Sequence, residues 1–225
     1  MTTAPGKLIV FEAPEGAGKT TQLRRLDAWL SAKRVPHRAV REPGGTPIGD
    51  EVRRLLLAPH HDLTPRAEAL LFMASRAELV QRVIHPALEQ GEFVLCDRFF
   101  LSTYAYQVHG RGLPFDEVRT ANALATGGLV PDVTILLTLR AADRRARAAA
   151  RGAADRMEGA GDDFHERVEA AFARFASPDW QQAHPECGPI VDVDAAGSED
   201  AVFERILAAL ATHWPFPFGE PATVR

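Results

Sequence analysis

A chain of 225 residues with 46% hydrophobic and 25% charged side chains lies in the ordinary globular range and can bury one sizeable core, so a single domain is expected. The net charge of −4, with both signs spread along the chain, excludes the basic stripe that duplex binding requires, and nucleic acid is not expected as a partner. Cys96 and Cys187 lack paired metal-ligand spacing, the N-terminus shows no basic segment leading into an apolar signal core, and no apolar run approaches the ~20 residues of a membrane span; a cytoplasmic protein without a membrane partner is expected.

Leu8 to Glu12 reads L-I-V-F-E, a β-branched and aromatic run that predicts a buried strand. From Lys19 to Ala32, Leu23, Leu26, Trp29 and Leu30 recur at helical steps and give one apolar face. A strand at His37 to Arg41, a Pro-Gly-Gly loop at 43–45 and a short amphipathic helix over Ile48 to Leu57 follow. Thr64 and Pro65 open a long helix reaching about Gln90, which Gly91 ends. Further strands are expected at Phe93 to Cys96, Val133 to Leu139 and Ile190 to Val193. Helices are expected over Arg140 to Arg151, Phe164 to Ala176 and Ala201 to His213, the last capped near Ser198, with a Gly-rich loop at 152–161. The Pro-rich tail, 214–225, shows no period and is expected to be loose. Such alternation implies a parallel sheet with helices on both faces, one α/β domain over 1–213, and ligands at the carboxyl ends of the strands.

Residues 13–20, A-P-E-G-A-G-K-T, match the spacing G-x-x-x-x-G-K-[ST], with Ala13 in place of the first glycine. The chemistry needs glycines so that backbone N–H groups can turn inward around phosphates, a lysine that reaches the β- and γ-phosphates, and a hydroxyl for Mg²⁺. Gly16, Gly18, Lys19 and Thr20 meet those needs, and Ala13, Pro14, Glu15, Ala17 and Thr21 complete the triphosphate loop. GTPases, motor ATPases, recombinases and small-molecule kinases all share this cradle, so the acceptor site must discriminate. Asp97 and Arg98 stand just beyond the third predicted strand, at the same sheet edge. Asp97 is suited to a magnesium-bound water, and Arg98 to bridging donor and acceptor phosphates. Arg144, Arg145 and Arg147 as a group read equally well as a solvated helix face, whereas Arg156 lies in a loop able to close as a lid, about 147–162, over a triphosphate.

A-P-E-G-A-G-K-T-T, R-E-P-G-G-T at 41–46, L-L-F-M-A-S-R at 70–76 and D-R-F-F-L-S-T-Y-A-Y-Q at 97–107 together resemble the bacterial thymidylate kinases, as do A-R-G-A-A-D-R-M-E at 150–158 and V-D-V-D-A at 191–195. The resemblance implies a P-loop NTPase-type three-layer α/β/α fold. It also implies transfer of the γ-phosphoryl of ATP to dTMP with Mg²⁺, in dTTP biosynthesis, by a homodimer. It puts the thymine-stacking ring on Phe72 and the base-bonding arginine on Arg76, and it lines the acceptor with Glu15, Pro43, Arg53, Arg98, Ser102, Thr103, Tyr106 and Gln107. Tyr106 is the expected gate against a 2′-hydroxyl. The phosphate loop holds no arginine, so the resemblance assigns the catalytic arginine to the lid, among Arg147, Arg151 and Arg156, and places Asp194 beside the adenine. A kinase for dUMP, dCMP or UMP is the nearest alternative. A nucleotide-hydrolysing switch is more distant, since the N-K-x-D guanine signature is missing.

Overall fold

The computed structural model describes residues 5–149, 156–157 and 159–219. Five strands, β1 (Lys7–Glu12), β2 (His37–Arg41), β3 (Phe93–Asp97), β4 (Val133–Thr138) and β5 (Ile190–Asp194), pair in the order β2-β3-β1-β4-β5, all parallel. Strands buried on both faces read as continuous apolar runs, as β1, β3 and β4 do, whereas β2, HRAVR, is half-exposed at the sheet edge. In β1, Leu8 and Val10 pack with Val94, Cys96 and Phe172, while Ile9 and Phe11 pack with Leu26, Leu30 and Ile206. Successive strand residues point to opposite faces, so one strand anchors both helical layers.

The register aligns Phe11 and Arg41 with Asp97, and Thr138 with Asp194, so the strands finish level along one edge. β1 sits at the point where strand order reverses, flanked by β3 and β4. That switch point is where open α/β sheets take ligands.

Helix α1 (Lys19–Ala32) starts directly from the phosphate loop. Both α2 (Pro47–Leu57) and α3 (Pro65–Leu79) begin with proline, where a missing N–H costs nothing, behind a threonine cap: Thr46 accepts from Gly49 N at 2.9 Å and Thr64 from Ala67 N at 3.4 Å. α3 runs on through a π-helical stretch, Val80–Ile84, into α4 (His85–Glu89), so the predicted long helix keeps its path.

Sequence periodicity gave no element between 98 and 131, yet α5 (Phe100–Thr103) continues there as a π-helical stretch, Tyr104–Gly110, followed by α6 (Phe115–Thr126). A π stretch breaks the 3.6-residue pattern, and α6 buries only Val118 and Ala125 among its apolar side chains, so neither announces itself. α7 (Ala141–Ala149), α8 (Asp162–Phe175), α9 (Pro178–Ala183) and α10 (Glu199–His213) follow, with Ser198 capping α10. The tail needs correction over its first residues. In α11 (Pro215–Phe218), Phe218 is buried and its ring stacks on Trp29 at 5.7 Å and meets Phe93 edge-on at 5.5 Å. Prolines erased the period while aromatic rings supplied the packing; 220–225 lie outside the described residues.

Candidate active site

Between β1 and α1, Gly16 and Gly18 adopt φ of 80° and 91°, a region closed to most side chains, and a Cβ on Gly16 would stand 2.4 Å from the Arg144 carbonyl oxygen. Residues 14–21 line a cleft with Arg98, Arg147, Ala195 and Gly197. The first N–H groups of α1 lack intrahelical partners and, with the helix dipole, suit an anion. Two expected members make contacts within the protein. Ala13 is fully buried in the cluster of Ile9, Phe11 and Ala17, so its extra methyl group meets core rather than ligand, and its carbonyl accepts from Arg98 Nη1 at 3.4 Å. Asp194 helps close the turn after β5: one carboxylate oxygen accepts from Ala196 N at 2.9 Å and its carbonyl from Arg205 at 2.8 Å.

Lys19 is ion-paired with Asp97, and the Thr20 hydroxyl donates to the other Asp97 carboxylate oxygen at 3.0 Å. Burial, then the Arg98 guanidinium, hold the Lys19 ammonium well below its usual pKa range, partly offset by Glu12. Thr20 and Asp97 thus set two hard oxygen donors side by side, the kind Mg²⁺ takes together with phosphate oxygens and water. Among the described residues no cluster of three or more His, Cys, Asp or Glu forms a closed metal cage, which this ion does not require.

A second cleft shares Glu15 and Arg98 with the first. Its wall contains Pro43, Arg53, Phe72, Arg76, Ser102, Thr103, Tyr106 and Gln107, drawn from the loop after β2, from α2, α3 and α5, and from the π stretch. Glu42, Leu57, Met157 and His165 join them; Glu42 and Met157 lie within quoted motifs without having been given a role, and Leu57 and His165 lie in none. Phe72 makes no ring contact among the described residues. The Tyr106 ring, by contrast, lies 5.3 Å from the Arg98 guanidinium carbon. Arg98 itself sits at φ 75°, left-handed backbone that costs a non-glycine residue about 1–3 kcal/mol, and its N–H donates to the Phe11 carbonyl at 3.0 Å.

Arg76 is buried, and all five of its N–H donors are engaged. Nε and Nη2 hold Glu42, Nη2 also reaches the Phe99 carbonyl at 2.9 Å, and Nη1 holds Thr103 at 3.0 Å and Asn122. Burial raises the Glu42 carboxyl against the pull of Arg76. Reading a base through Arg76 therefore requires one of these partners to share its donor.

The two described lid arginines meet different surroundings. Arg147 lines the triphosphate cleft, and Arg151 lies outside the described residues. Arg156 is not part of that cleft's wall: Nη1 pairs with Glu68 at 2.8 Å and Nε donates to the Leu56 carbonyl at 2.6 Å. Glu68, fully buried on α3, also accepts from Gln107 at 2.9 Å and pairs with Arg111 at 3.0 Å. A buried carboxylate draws basic side chains from distant segments, and only the missing third dimension hid this cluster from the sequence. Arg144 likewise is no solvated residue. It is buried, donating to the Glu15 carbonyl at 3.4 Å and pairing with Glu169 at 3.0 Å, so it braces the phosphate loop from below.

The thymidylate kinase family profile matches residues 11–193. The chain is 47% identical over 206 residues to a thymidylate kinase of Deinococcus radiodurans, covering 92% of this chain and 97% of that one, and 43% identical over 203 residues to one of Exiguobacterium, covering 90% and 92%. It is similar to the crystal structure of a thymidylate kinase from Ehrlichia chaffeensis, with a TM-score of 0.68 at 29% identity, over 92% of this chain and 99% of that one. A phosphate loop and a side-chain-lined cleft meeting at Arg98, on a parallel sheet matched this widely, lead to one conclusion: the chain belongs to the thymidylate kinase family of ATP-dependent nucleoside monophosphate kinases.

Proposed function

We propose that this chain transfers the γ-phosphoryl group of ATP to dTMP, giving dTDP and ADP. The observation that carries it is the shared wall: Arg98 and Glu15 line both clefts, so a triphosphate in one and a monophosphate in the other would meet there. In this reading residues 14–21 cradle the triphosphate, Lys19 reaches its outer phosphates, and Arg98 bridges donor and acceptor oxygens. Thr20 and Asp97 would hold Mg²⁺, which when bound neutralises charge on the phosphoryl oxygens. No strong general base is needed, because a monophosphate with a second pKa of about 6 is already anionic at neutral pH.

Phe72 stacks on the thymine, with Thr103, Gln107 and a shared Arg76 donor at its edge, while Pro43 and Arg53 border the acceptor. Tyr106 closes the sugar side, and Glu15 is placed to meet a sugar hydroxyl or an arginine. Of the lid arginines, Arg147 is assigned to the donor phosphates, Arg151 remains a candidate for the catalytic role, and Arg156 is reassigned to bracing the acceptor side. The exposed Leu70 on α3 and Leu124 on the adjacent α6 support a homodimer through that face. Leu124→Asp should then sediment as a monomer, and an unchanged sedimentation coefficient would refute that face. No described helix is long and apolar enough to cross a membrane, and the free, buried Cys96 and Cys187 accord with a cytoplasmic site of action.

The test is product analysis with ATP and Mg²⁺, with and without dTMP. Stoichiometric dTDP and ADP only when dTMP is present is expected; ADP formed equally without it would mean hydrolysis and refute the transfer.

A further inference from the structure

Glu12 ends β1 fully buried and lines neither cleft. Its carboxylate nevertheless holds the segment that carries Arg98. One oxygen accepts from Phe99 N at 2.7 Å and Ser102 N at 3.0 Å, and the other accepts from Ser102 Oγ at 2.5 Å. A serine hydroxyl has a single proton, and this one is given to Glu12. The lone pairs of Ser102 Oγ are thereby turned to Arg98, whose Nη1 donates to it at 2.9 Å. Glu12 reaches the same guanidinium from the backbone side too, since the Phe99 N–H it binds follows directly on the left-handed Arg98.

We infer that Glu12 is a positioning residue for phosphoryl transfer: through Ser102 it fixes the direction and place of the Arg98 guanidinium at the wall between the two clefts. The inference rests on the transfer reading above for its consequence in turnover, but the geometry it asserts belongs to the protein without substrate. A neutral hydrogen-bonding side chain of the same size cannot replace the carboxylate, because an amide offers one accepting oxygen where three donors converge. A purely structural Glu12, needed only to satisfy two buried N–H groups, would not act through Ser102.

The test compares Glu12→Gln, Ser102→Ala and the double variant in the full chain. Measured are kcat, the KM of each substrate, the thermal midpoint, and the Nε–Hε signal of Arg98 by NMR without ligands, assigned by its loss in Arg98→Lys. In Glu12→Gln kcat should fall about 100-fold, the cost of a small misplacement of a catalytic group, while the KM for ATP stays within about twofold. Ser102→Ala should fall comparably, and the double variant should be no worse than the larger single change, since both break one chain of contacts. The Arg98 signal, narrow in the wild type, should broaden in each variant. A Glu12→Gln protein that is less stable yet keeps wild-type kcat and a narrow Arg98 signal overturns the proposal, as do single-variant effects that multiply in the double. Should Glu12→Gln fail to fold, Ser102→Ala decides: unchanged kcat with an unchanged Arg98 signal overturns it. Wild-type turnover of dTMP bears on the function alone and the ligand-free signal on the positioning alone, so the two can fail separately.

Discussion

The donor cleft takes residues 14–21 from one uninterrupted loop and helix start, whereas the acceptor cleft collects Pro43, Arg53, Phe72, Arg98 and Tyr106 from five separate segments. The first is shaped by backbone: two left-handed glycines and an α-helix N-terminus would bind phosphate whatever the outward side chains were. The second is shaped by side chains that are themselves fixed by buried ion pairs, Glu42 with Arg76 and Glu68 with Arg111 and Arg156. Phosphate needs only N–H groups and positive charge, while one base among several needs a shaped wall, so specificity is concentrated where the sequence is most dispersed.

The sharpest break in this contrast is at the chemistry both clefts share. Lys19→Ala or Arg98→Ala should lower kcat about 10³-fold, as expected for removal of a group that stabilises transition-state charge; rates within about tenfold of wild type would sink the assignment. Next comes the scaffold of the acceptor cleft. Glu68→Ala leaves Arg111 and Arg156 without their common carboxylate and should cost about 3–5 kcal/mol in denaturant unfolding. A loss under about 1 kcal/mol would mean that the two arginines find other partners. Phe72→Ala should raise the dTMP KM by about tenfold or more, from a base-stacking contribution of about 1–3 kcal/mol, with the ATP KM unmoved. An unchanged dTMP KM would show that the base is held elsewhere.

The smallest effect is one of pH. Burial, aided by Arg174, lowers the His109 pKa, and burial lowers that of His184 despite the pull of Glu186. A histidine whose pKa is lower in the folded state favours the neutral form. Its contribution is therefore present above the unfolded value of 6.5 and lost as pH falls through the folded value. Glu68 acts in the same direction further down: burial raises its carboxyl but Arg111, Gln107 and Arg156 more than compensate, so stability is lost below the ordinary 4.5. The thermal midpoint should fall between pH 7 and 5 in the wild type and fall less in His109→Gln combined with His184→Gln. Equal slopes would remove the histidines from the account.

How much could be read from the chain follows the same division. The central strands β1, β3 and β4 and the phosphate loop were legible because each is a local pattern: an apolar run buried on two faces, or a spacing of glycines before Lys19. Phe72 and Tyr106 were placed by motif resemblance, and the structure seats both in one cleft. Glu12, Glu42 and Glu68 were given no role because the arginine or amide that meets each one lies far along the chain. Arg156 was read as part of a lid over the triphosphate, and in this structure the buried charge of Glu68 holds it beside the acceptor.

The acceptor cleft is the most specific part of the account, and a coupled ADP-release assay at equal concentrations of dTMP, dUMP, dCMP, UMP and AMP, with ATP and Mg²⁺, tests it most directly. Strong preference for dTMP, with UMP rejected at Tyr106 and dCMP at the base edge, is the predicted result; a different preferred acceptor, or ADP release indifferent to the acceptor, would contradict it.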